Sequence, residues 1–299
     1  MSERPIVVLG VTGMLGHKMF QHLSRQFPNV LGTCRDLVTS ERFRSVELLR
    51  DPWVLQGVDG QSWESLEGLL LRLRPSWIVN CVGVIKQREA ASEAVPSILI
   101  NSLLPHRLAA AAAGWEGRVI HFSTDCVFSG RQGMYREEDV SDATDLYGRS
   151  KFLGETAAAN ALTLRTSIIG RELAEFRSLL EWFLARRGGK VQGYLRAMWS
   201  GVTTNYLSSL VGGIITSHPT LHGLLQVAAQ PISKYDLLCL IRRIYGLDVE
   251  IEAVEGEVCD RTLRGDSFAA ATGIETPAWE QLIAELHDDP TPYDEWRAS

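Results

Sequence analysis

Residues 119–155 read VIHFSTDCVFSGRQGMYREEDVSDATDLYGRSKFLGE, and the fold turns on how this stretch divides. Val119 to Phe122 is apolar and β-branched, as a buried strand would be. It ends in Ser123-Thr124-Asp125, hydroxyl and carboxylate groups at a strand end. After a turn-rich passage, Asp145 is a plausible N-cap for a helix carrying Tyr147-Gly148-Arg149-Ser150-Lys151. Tyr147 and Lys151 are four apart and share one helix face. That spacing suits proton transfer. A free tyrosine, with a pKa of about 10, is a poor acid–base group at neutral pH. A neighbouring ammonium and the positive helix end both favour the phenolate, so a lowered Tyr147 pKa is expected. The Thr124 hydroxyl is suited to hold the substrate oxygen that gains or loses the proton, with Asp125 beside it on the substrate side.

A bare YxxxK is a weak motif. It gains weight from the start of the chain. Ile6-Val7-Val8-Leu9 runs into Gly10-Val11-Thr12-Gly13-Met14-Leu15-Gly16, glycines spaced GxxGxxG between a strand and a helix. Glycine allows a sharp turn and lets a pyrophosphate approach the backbone at the helix N-terminus. Leu15, Met19, Phe20, Leu23 and Phe27 recur at helical spacing.

The glycine turn, STD followed by VF, and YGRSK followed by GE resemble the extended short-chain dehydrogenase/reductase superfamily. Within it they look most like the dTDP-4-dehydrorhamnose reductase family. The likeness is tightest over residues 6–16, 76–87 and 118–170. It implies that Thr124, Tyr147 and Lys151 correspond to the family's catalytic Thr/Ser, Tyr and Lys. Two segments depart from the family pattern. Cys81-Val82-Gly83 stands where alanines are common, and Arg165-Thr166-Ser167-Ile168 lacks a tryptophan.

The fold expected is α/β: a Rossmann-type doubly wound parallel sheet with a smaller C-terminal substrate-binding lobe. Residues 1–167, with a returning segment near 205–230, form the NAD(P)-binding domain in this reading; 168–204 and 231–299 form the lobe. Val30 to Arg35 is the second strand. Its end meets the adenine ribose in this fold, where an arginine suits the 2′-phosphate of NADP and an acid the 2′-hydroxyl of NAD. Arg35 favours NADPH, and Asp36 keeps NADH open. Residues 40–50 read as a helix with Phe43, Val46 and Leu49 on one face, and Trp53 to Asp59 as a third strand. By resemblance Asp59 lies near the adenine. Ser62 to Arg74 is an amphipathic helix stopped by Pro75. Trp77 to Gly83 is a buried fourth strand whose end, Cys81-Val82-Gly83, faces the cofactor.

A helix from about Pro96 to Ala113 contains Asn101 and Pro105. Proline has no N–H, so it cannot bond the carbonyl of Asn101. The resemblance places Asn101 with the catalytic group, its carbonyl holding a water that leads to Lys151. Ala161 to Ser167 is the sixth strand, Phe176 to Arg187 a helix, and Leu224 to Ala228 a return to the sheet. Ser233 caps a helix to Tyr245, with Asp236 at its third position. Val249 to Val254 is a late strand, Thr276-Pro277 opens a last helix, and 290–299 is a frayed tail. The loop around Trp199 to Thr204, with Trp199 and Thr203, is the expected seat of a sugar nucleotide.

The 299 residues are 45% hydrophobic and 22% charged, as in an ordinary globular protein. A net charge of −6 gives no global basic field for nucleic acid or anionic membrane. The five cysteines are scattered and read as reduced thiols of a cytoplasmic protein. No apolar run approaches a bilayer span. The seven histidines form no HxxxH or Cys/His cluster, so no metal is expected. A homodimer is one assembly open to the chain. The resemblance implies NADPH-dependent reduction of a nucleotide-linked 4-keto-6-deoxy sugar for surface polysaccharide. Two alternatives stand beside it. One is a nucleotide-sugar epimerase or dehydratase with a retained nicotinamide. The other is a regulatory binding subunit like that of methionine adenosyltransferase, which resembles the same family.

Overall fold

The computed structural model describes residues 4–35, 43–84, 93–256 and 258–298. Its centre is a parallel sheet of seven strands: β1 (Ile6–Leu9), β2 (Val30–Thr33), β3 (Val54–Leu55), β4 (Trp77–Asn80), β5 (Arg118–Ser123), β6 (Ala161–Arg165) and β11 (Gly223–Gln226). The order across the sheet is β11-β6-β5-β4-β1-β2-β3. β1 to β6 are almost entirely buried, which is why they read as continuous apolar runs rather than alternating ones. The strand order reverses at β1, which pairs in parallel with both β2 and β4: the chain builds out to β3 on one side and from β4 to β11 on the other. A crevice opens at the carboxyl ends of the strands at such a switch point.

Helices cover both faces. On one, α1 (Met14–Gln26) packs along α7 (Thr204–Ser217), with Leu15, Met19, Phe20 and Leu23 buried as their spacing requires. On the other, α2 (Trp63–Leu73) and α4 (Leu104–Ala113) bury Leu66, Leu70, Leu104 and Leu108. The second half adds a three-stranded sheet, β12 (Ile232–Ser233), β9 (Ala197–Trp199) and β14 (Cys259–Asp260). It also adds β8 (Lys190–Tyr194) paired with β13 (Glu250–Val254), and β7 (Ile168–Ile169) with β10 (Val202–Thr203). α8 (Lys234–Tyr245) starts at Ser233, whose hydroxyl accepts from the Asp236 N–H at 3.0 Å, the cap expected.

Several elements differ from the sequence reading. The described part of 40–50 forms no α-helix: Glu47–Arg50 is a 3₁₀ turn, although Phe43, Val46 and Leu49 are all buried. Residues 40–42 and Asp36 lie outside the described residues. β3 is two residues, not seven, because its chain leaves the sheet after Leu55. α6 (Leu179–Leu184) is shorter than 176–187, and positive φ at Glu175 and Phe176 keeps those residues out of it. α10 (Trp279–His287) begins after Ala278, so Pro277 precedes the cap.

The tail is not frayed. α11 (Tyr293–Ala298) docks on α1, and Tyr293 is 5% exposed. Gly13 offers only a carbonyl to His17 Nδ1 (2.9 Å), so Nδ1 carries the proton and Nε2 accepts from the Tyr293 hydroxyl at 2.7 Å. Burial holds the imidazole neutral, with its pKa lowered to about 4. Lys18 pairs with Asp289 at 2.5 Å, and Arg171 with both Glu181 and Asp294. Polar partners far away in sequence thus order a segment that has little periodicity of its own. No helix of the described residues is long and apolar enough to cross a membrane.

Candidate active site

The glycine turn follows β1. Gly10 has φ +83°, which glycine adopts without strain, and Gly16 faces the turn so closely that an added Cβ would lie 2.0 Å from the Gly10 carbonyl oxygen. Gly16→Ala is therefore expected to push the turn off α1. Overpacking of this kind costs about 1–3 kcal/mol, with loss of dinucleotide binding. Urea unfolding and dinucleotide titration measure both. A variant matching wild type in each would show that the contact relaxes freely.

A cavity of about 320 Å³ lies over the carboxyl ends of β1, β4, β5 and β6. Thr12, Gly13, Met14 and Leu15 form one side and Cys81, Val82 and Gly83 another. Thr124, Asp125, Tyr147 and Lys151 line it as well. These chain-distant residues meet because parallel strands deliver all their carboxyl ends to one edge.

α5 (Leu146–Leu153) carries the tyrosine and lysine, and its start is fixed by the Asp145 carboxylate accepting from Gly148 N–H at 2.7 Å. Thr124 opens a 3₁₀ turn, Asp125–Val127. Its hydroxyl accepts from Cys126 N–H (3.2 Å) and donates to Asp125 (3.1 Å). Lys151 is buried, its Nζ donating to the Phe122 carbonyl at 2.5 Å. Burial lowers its pKa to about 8, with the charge of Glu155 acting to raise it. Glu155 in turn is held by Ser123 (2.6 Å) and by both guanidinium nitrogens Nε (2.9 Å) and Nη2 (2.7 Å) of Arg165.

Tyr147 departs from expectation. Its pKa is raised, chiefly by burial, while a hydrogen bond with Thr124 works the other way. The Lys151 ammonium is engaged with the Phe122 carbonyl, so its pull does not prevail. The phenol therefore stays protonated at neutral pH, the form a proton donor needs. Asp125 is also raised by burial, against the opposing charges of Lys234 and Arg261.

Asn101 is fully buried in a helix that runs on through α3 (Ala94–Ser97), a π-helical turn Ile98–Leu103 and α4. Pro105 explains the widened turn. Its missing N–H breaks the regular ladder, and the Leu104 N–H bonds Leu99 instead. The Asn101 carbonyl faces Gly154, just past α5, where an added Cβ would come within 1.9 Å of it. Its side chain ties the segment after β4 to the catalytic helix. Nδ2 donates to Val84 O (3.0 Å) and Ser150 Oγ (3.1 Å), and Oδ1 accepts from Val84 N–H (2.9 Å).

Other expected site residues lie off this cavity. Arg35 is exposed at the end of β2. Asp59 follows β3 and accepts from Gln61 N–H at 2.9 Å. Trp199 and Thr203, expected at the substrate, are interior residues. Trp199 is stacked on Trp279 at 5.3 Å, and Thr203 is the N-cap of α7, accepting from Tyr206 N–H. The reason is that β9 and β10 bury this passage instead of leaving it as a loop. In its place the cavity wall is Thr166–Ile168 and Glu172–Glu175, with Arg177 and Ser178. Sequence reading missed that wall because nothing in its spacing is periodic. His121 is packed, as expected: its Nδ1 meets Asn80 Nδ2 at 3.1 Å, and burial keeps it neutral. Among the described residues no group of His, Cys, Asp or Glu is placed to hold a metal.

The sheet order, the glycine turn and the YxxxK helix facing it define a class, the extended short-chain dehydrogenases/reductases. A family model described as the RmlD substrate binding domain matches residues 4–180, and the chain belongs to that family. A dTDP-4-dehydrorhamnose reductase of Sinorhizobium fredii is 30% identical over 72% of this chain and 73% of its own. Methionine adenosyltransferase 2 subunit beta of Xenopus laevis is 27% identical over 52% of this chain, and the match spans 42% of that protein's length. Among solved structures, dTDP-4-dehydrorhamnose reductase of Bacillus anthracis, in complex with NADP, has a TM-score of 0.77 at 17% identity, covering 97% of this chain and 100% of its own. A dTDP-glucose 4,6-dehydratase of the same organism, in complex with NAD, reaches the same 0.77 at 15% identity, covering 98% of each chain. The fold is thus common to reductase and dehydratase.

Proposed function

We propose that the protein is an NADPH-dependent reductase of a nucleotide-linked 4-keto-6-deoxy sugar, supplying a sugar for surface polysaccharide. The observation that carries this reading is the convergence of Thr124, Tyr147 and Lys151 on a cavity walled by the glycine turn. The reductase of Sinorhizobium fredii, related over most of both chains, supports it. The cradle suits a dinucleotide: the Gly10–Gly16 contact brings bare backbone to the cavity, where a pyrophosphate is accommodated. Gly10, Thr12, Gly13, Met14, Leu15, Gly16, Cys81, Val82 and Gly83 would hold it, with Arg35 and Asp59 at its adenosine end. In this reading residues 1–167 and 205–230 bind the dinucleotide, and 168–204 with 231–299 bind the sugar nucleotide.

A bound nicotinamide would supply the hydride for the carbonyl carbon. The chain's own work is on the oxygen. Thr124 Oγ1 holds it and Tyr147 gives it the phenolic proton, so the ketone becomes an alcohol. Lys151 would hold the ribose hydroxyls of the bound dinucleotide, and its charge favours the phenolate left behind. Asn101 positions α5 through Ser150 and, in the relay reading, steers a water toward Lys151.

The test is NADPH consumption against a panel of nucleotide 4-keto sugars. Turnover on one member with stoichiometric NADPH oxidation supports the reading. Conversion of a sugar nucleotide without added NADPH would replace it with an epimerase or dehydratase. A stoichiometric protein partner, with no turnover on any keto sugar, would favour a binding subunit. For cofactor choice, Arg35→Ala is expected to weaken NADPH by more than NADH, since only the former carries a 2′-phosphate for a guanidinium to pair with. Equal losses in fluorescence titrations would take Arg35 away from that phosphate.

A further inference from the structure

Two parts of the cavity are joined, from behind, through one tyrosine of the tail. Gly13 lines the cavity from the glycine turn, and Glu172 to Glu175, Arg177 and Ser178 line it from the segment after β7. The turn is fixed by β1 in the seven-stranded sheet, whereas β7 pairs with β10 in a separate sheet. Tyr293 lies between the two. Its hydroxyl donates to His17 Nε2 at 2.7 Å, and His17 Nδ1 donates to the Gly13 carbonyl at 2.9 Å. Its ring centroid is 4.8 Å from the Arg171 guanidinium carbon. Arg171 Nε donates to Glu181 Oε1 at 2.7 Å, and the same oxygen accepts from the Glu172 N–H at 3.0 Å. Glu172 Oε2 accepts in turn from the N–H groups of Arg177 (2.7 Å) and Ser178 (3.4 Å), which closes the wall on itself.

One run of contacts thus leads from the Gly13 carbonyl to the wall. His17 and Glu181 are fully buried and Tyr293 nearly so, so water does not stand in for a lost partner at little cost. Asp294 also pairs with Arg171, but its side chain is 87% exposed, and an ion pair in solvent contributes little. The tyrosine ring, set against the cations of both Arg171 and Lys18, is the stronger tie.

We infer that Tyr293 is a positioning residue of the active site, its hydroxyl setting the glycine turn and its ring setting the cavity wall. The inference rests on the reading that the turn holds the dinucleotide and the wall faces the sugar. Hydride donor and acceptor must then keep a fixed separation, since a misplacement of about 1 Å costs about 10²-fold in rate.

The experiment compares the full chain with Tyr293→Phe, Tyr293→Leu and His17→Phe. Hydrogen exchange is followed at residues 10–17, at 171–178 and, as a check on the fold, at 118–123. NADP⁺ affinity is measured by calorimetry. Tyr293→Phe keeps the ring, so exchange should rise at 10–17 alone. NADP⁺ should weaken about 2- to 10-fold, the worth of one neutral hydrogen bond. Tyr293→Leu removes hydroxyl and ring, so exchange should rise at both 10–17 and 171–178. On a keto sugar that wild type reduces, Tyr293→Phe should raise KM for NADPH with kcat nearly kept, and Tyr293→Leu should also lower kcat by about 10- to 100-fold. Residues acting through one bond are not additive, so Tyr293→Phe added to His17→Phe should weaken NADP⁺ no further. Unchanged exchange at both segments, or a rise that includes 118–123 equally, overturns the inference; the second outcome is that of a general loss of stability. Exchange that divides as expected in a chain that reduces no keto sugar keeps Tyr293 as the link and removes the reductase reading. Turnover on a keto sugar with exchange and affinity unchanged in the variants does the reverse.

Discussion

Tyr147→Phe is expected to slow reduction by about 10²- to 10⁴-fold, the usual worth of a positioned general acid. The substitution keeps the ring that lines the cavity and removes only the hydroxyl. A tyrosine already carries its proton at neutral pH, and burial, which raises its pKa, keeps it so. Lys151, the cation on the same helix face, is held by the Phe122 carbonyl at 2.5 Å, which leaves it poorly placed to substitute as donor. Dinucleotide affinity should change little, since the glycine turn and Lys151 are untouched. Single-turnover rates with titrated NADPH separate the two quantities. Near wild-type turnover in the variant would remove Tyr147 from the mechanism.

Glu155→Ala is the second large effect, and it falls on stability. The Arg165 side chain is 1% exposed and that of Glu155 7%, with bidentate bonds between them. Removing one partner of a buried ion pair strands the other charge, at about 3–5 kcal/mol. Arg165 has little else to turn to. Its Nη1 is already buried without a partner, and its flat face rests on the Phe128 ring, 4.9 Å from the centroid. Urea unfolding should show the midpoint falling with the slope unchanged. A loss below about 1 kcal/mol would mean that water reaches the guanidinium and replaces the carboxylate. The same substitution bears on the site. Glu155 is the carboxylate whose charge supports protonation of Lys151. Without it the lysine pKa falls further below about 8, and the ammonium is lost at lower pH. Activity of the variant should therefore decline on the alkaline side earlier than that of wild type.

The sequence by itself determined those parts of the protein whose signals are local. The strand, glycine turn and helix at the start are set by apolar periodicity and by backbone that only glycine tolerates. The cap at Asp145 and the four-residue step from Tyr147 to Lys151 lie within one helix, so spacing alone puts both on one face. Strands buried on both faces read as unbroken apolar runs, which is why the parallel sheet was legible from Val119 to Phe122 and from Ile6 to Leu9. What tertiary structure decided depends on partners far away in the chain. The direction of the Tyr147 shift follows from burial and from where Lys151 points, not from their spacing. Trp199 and Thr203 look like loop residues until β12 and β14 close around β9 and α7 starts at Thr203. Tyr293 and Asp289 order the tail only because His17 and Lys18 wait for them on α1.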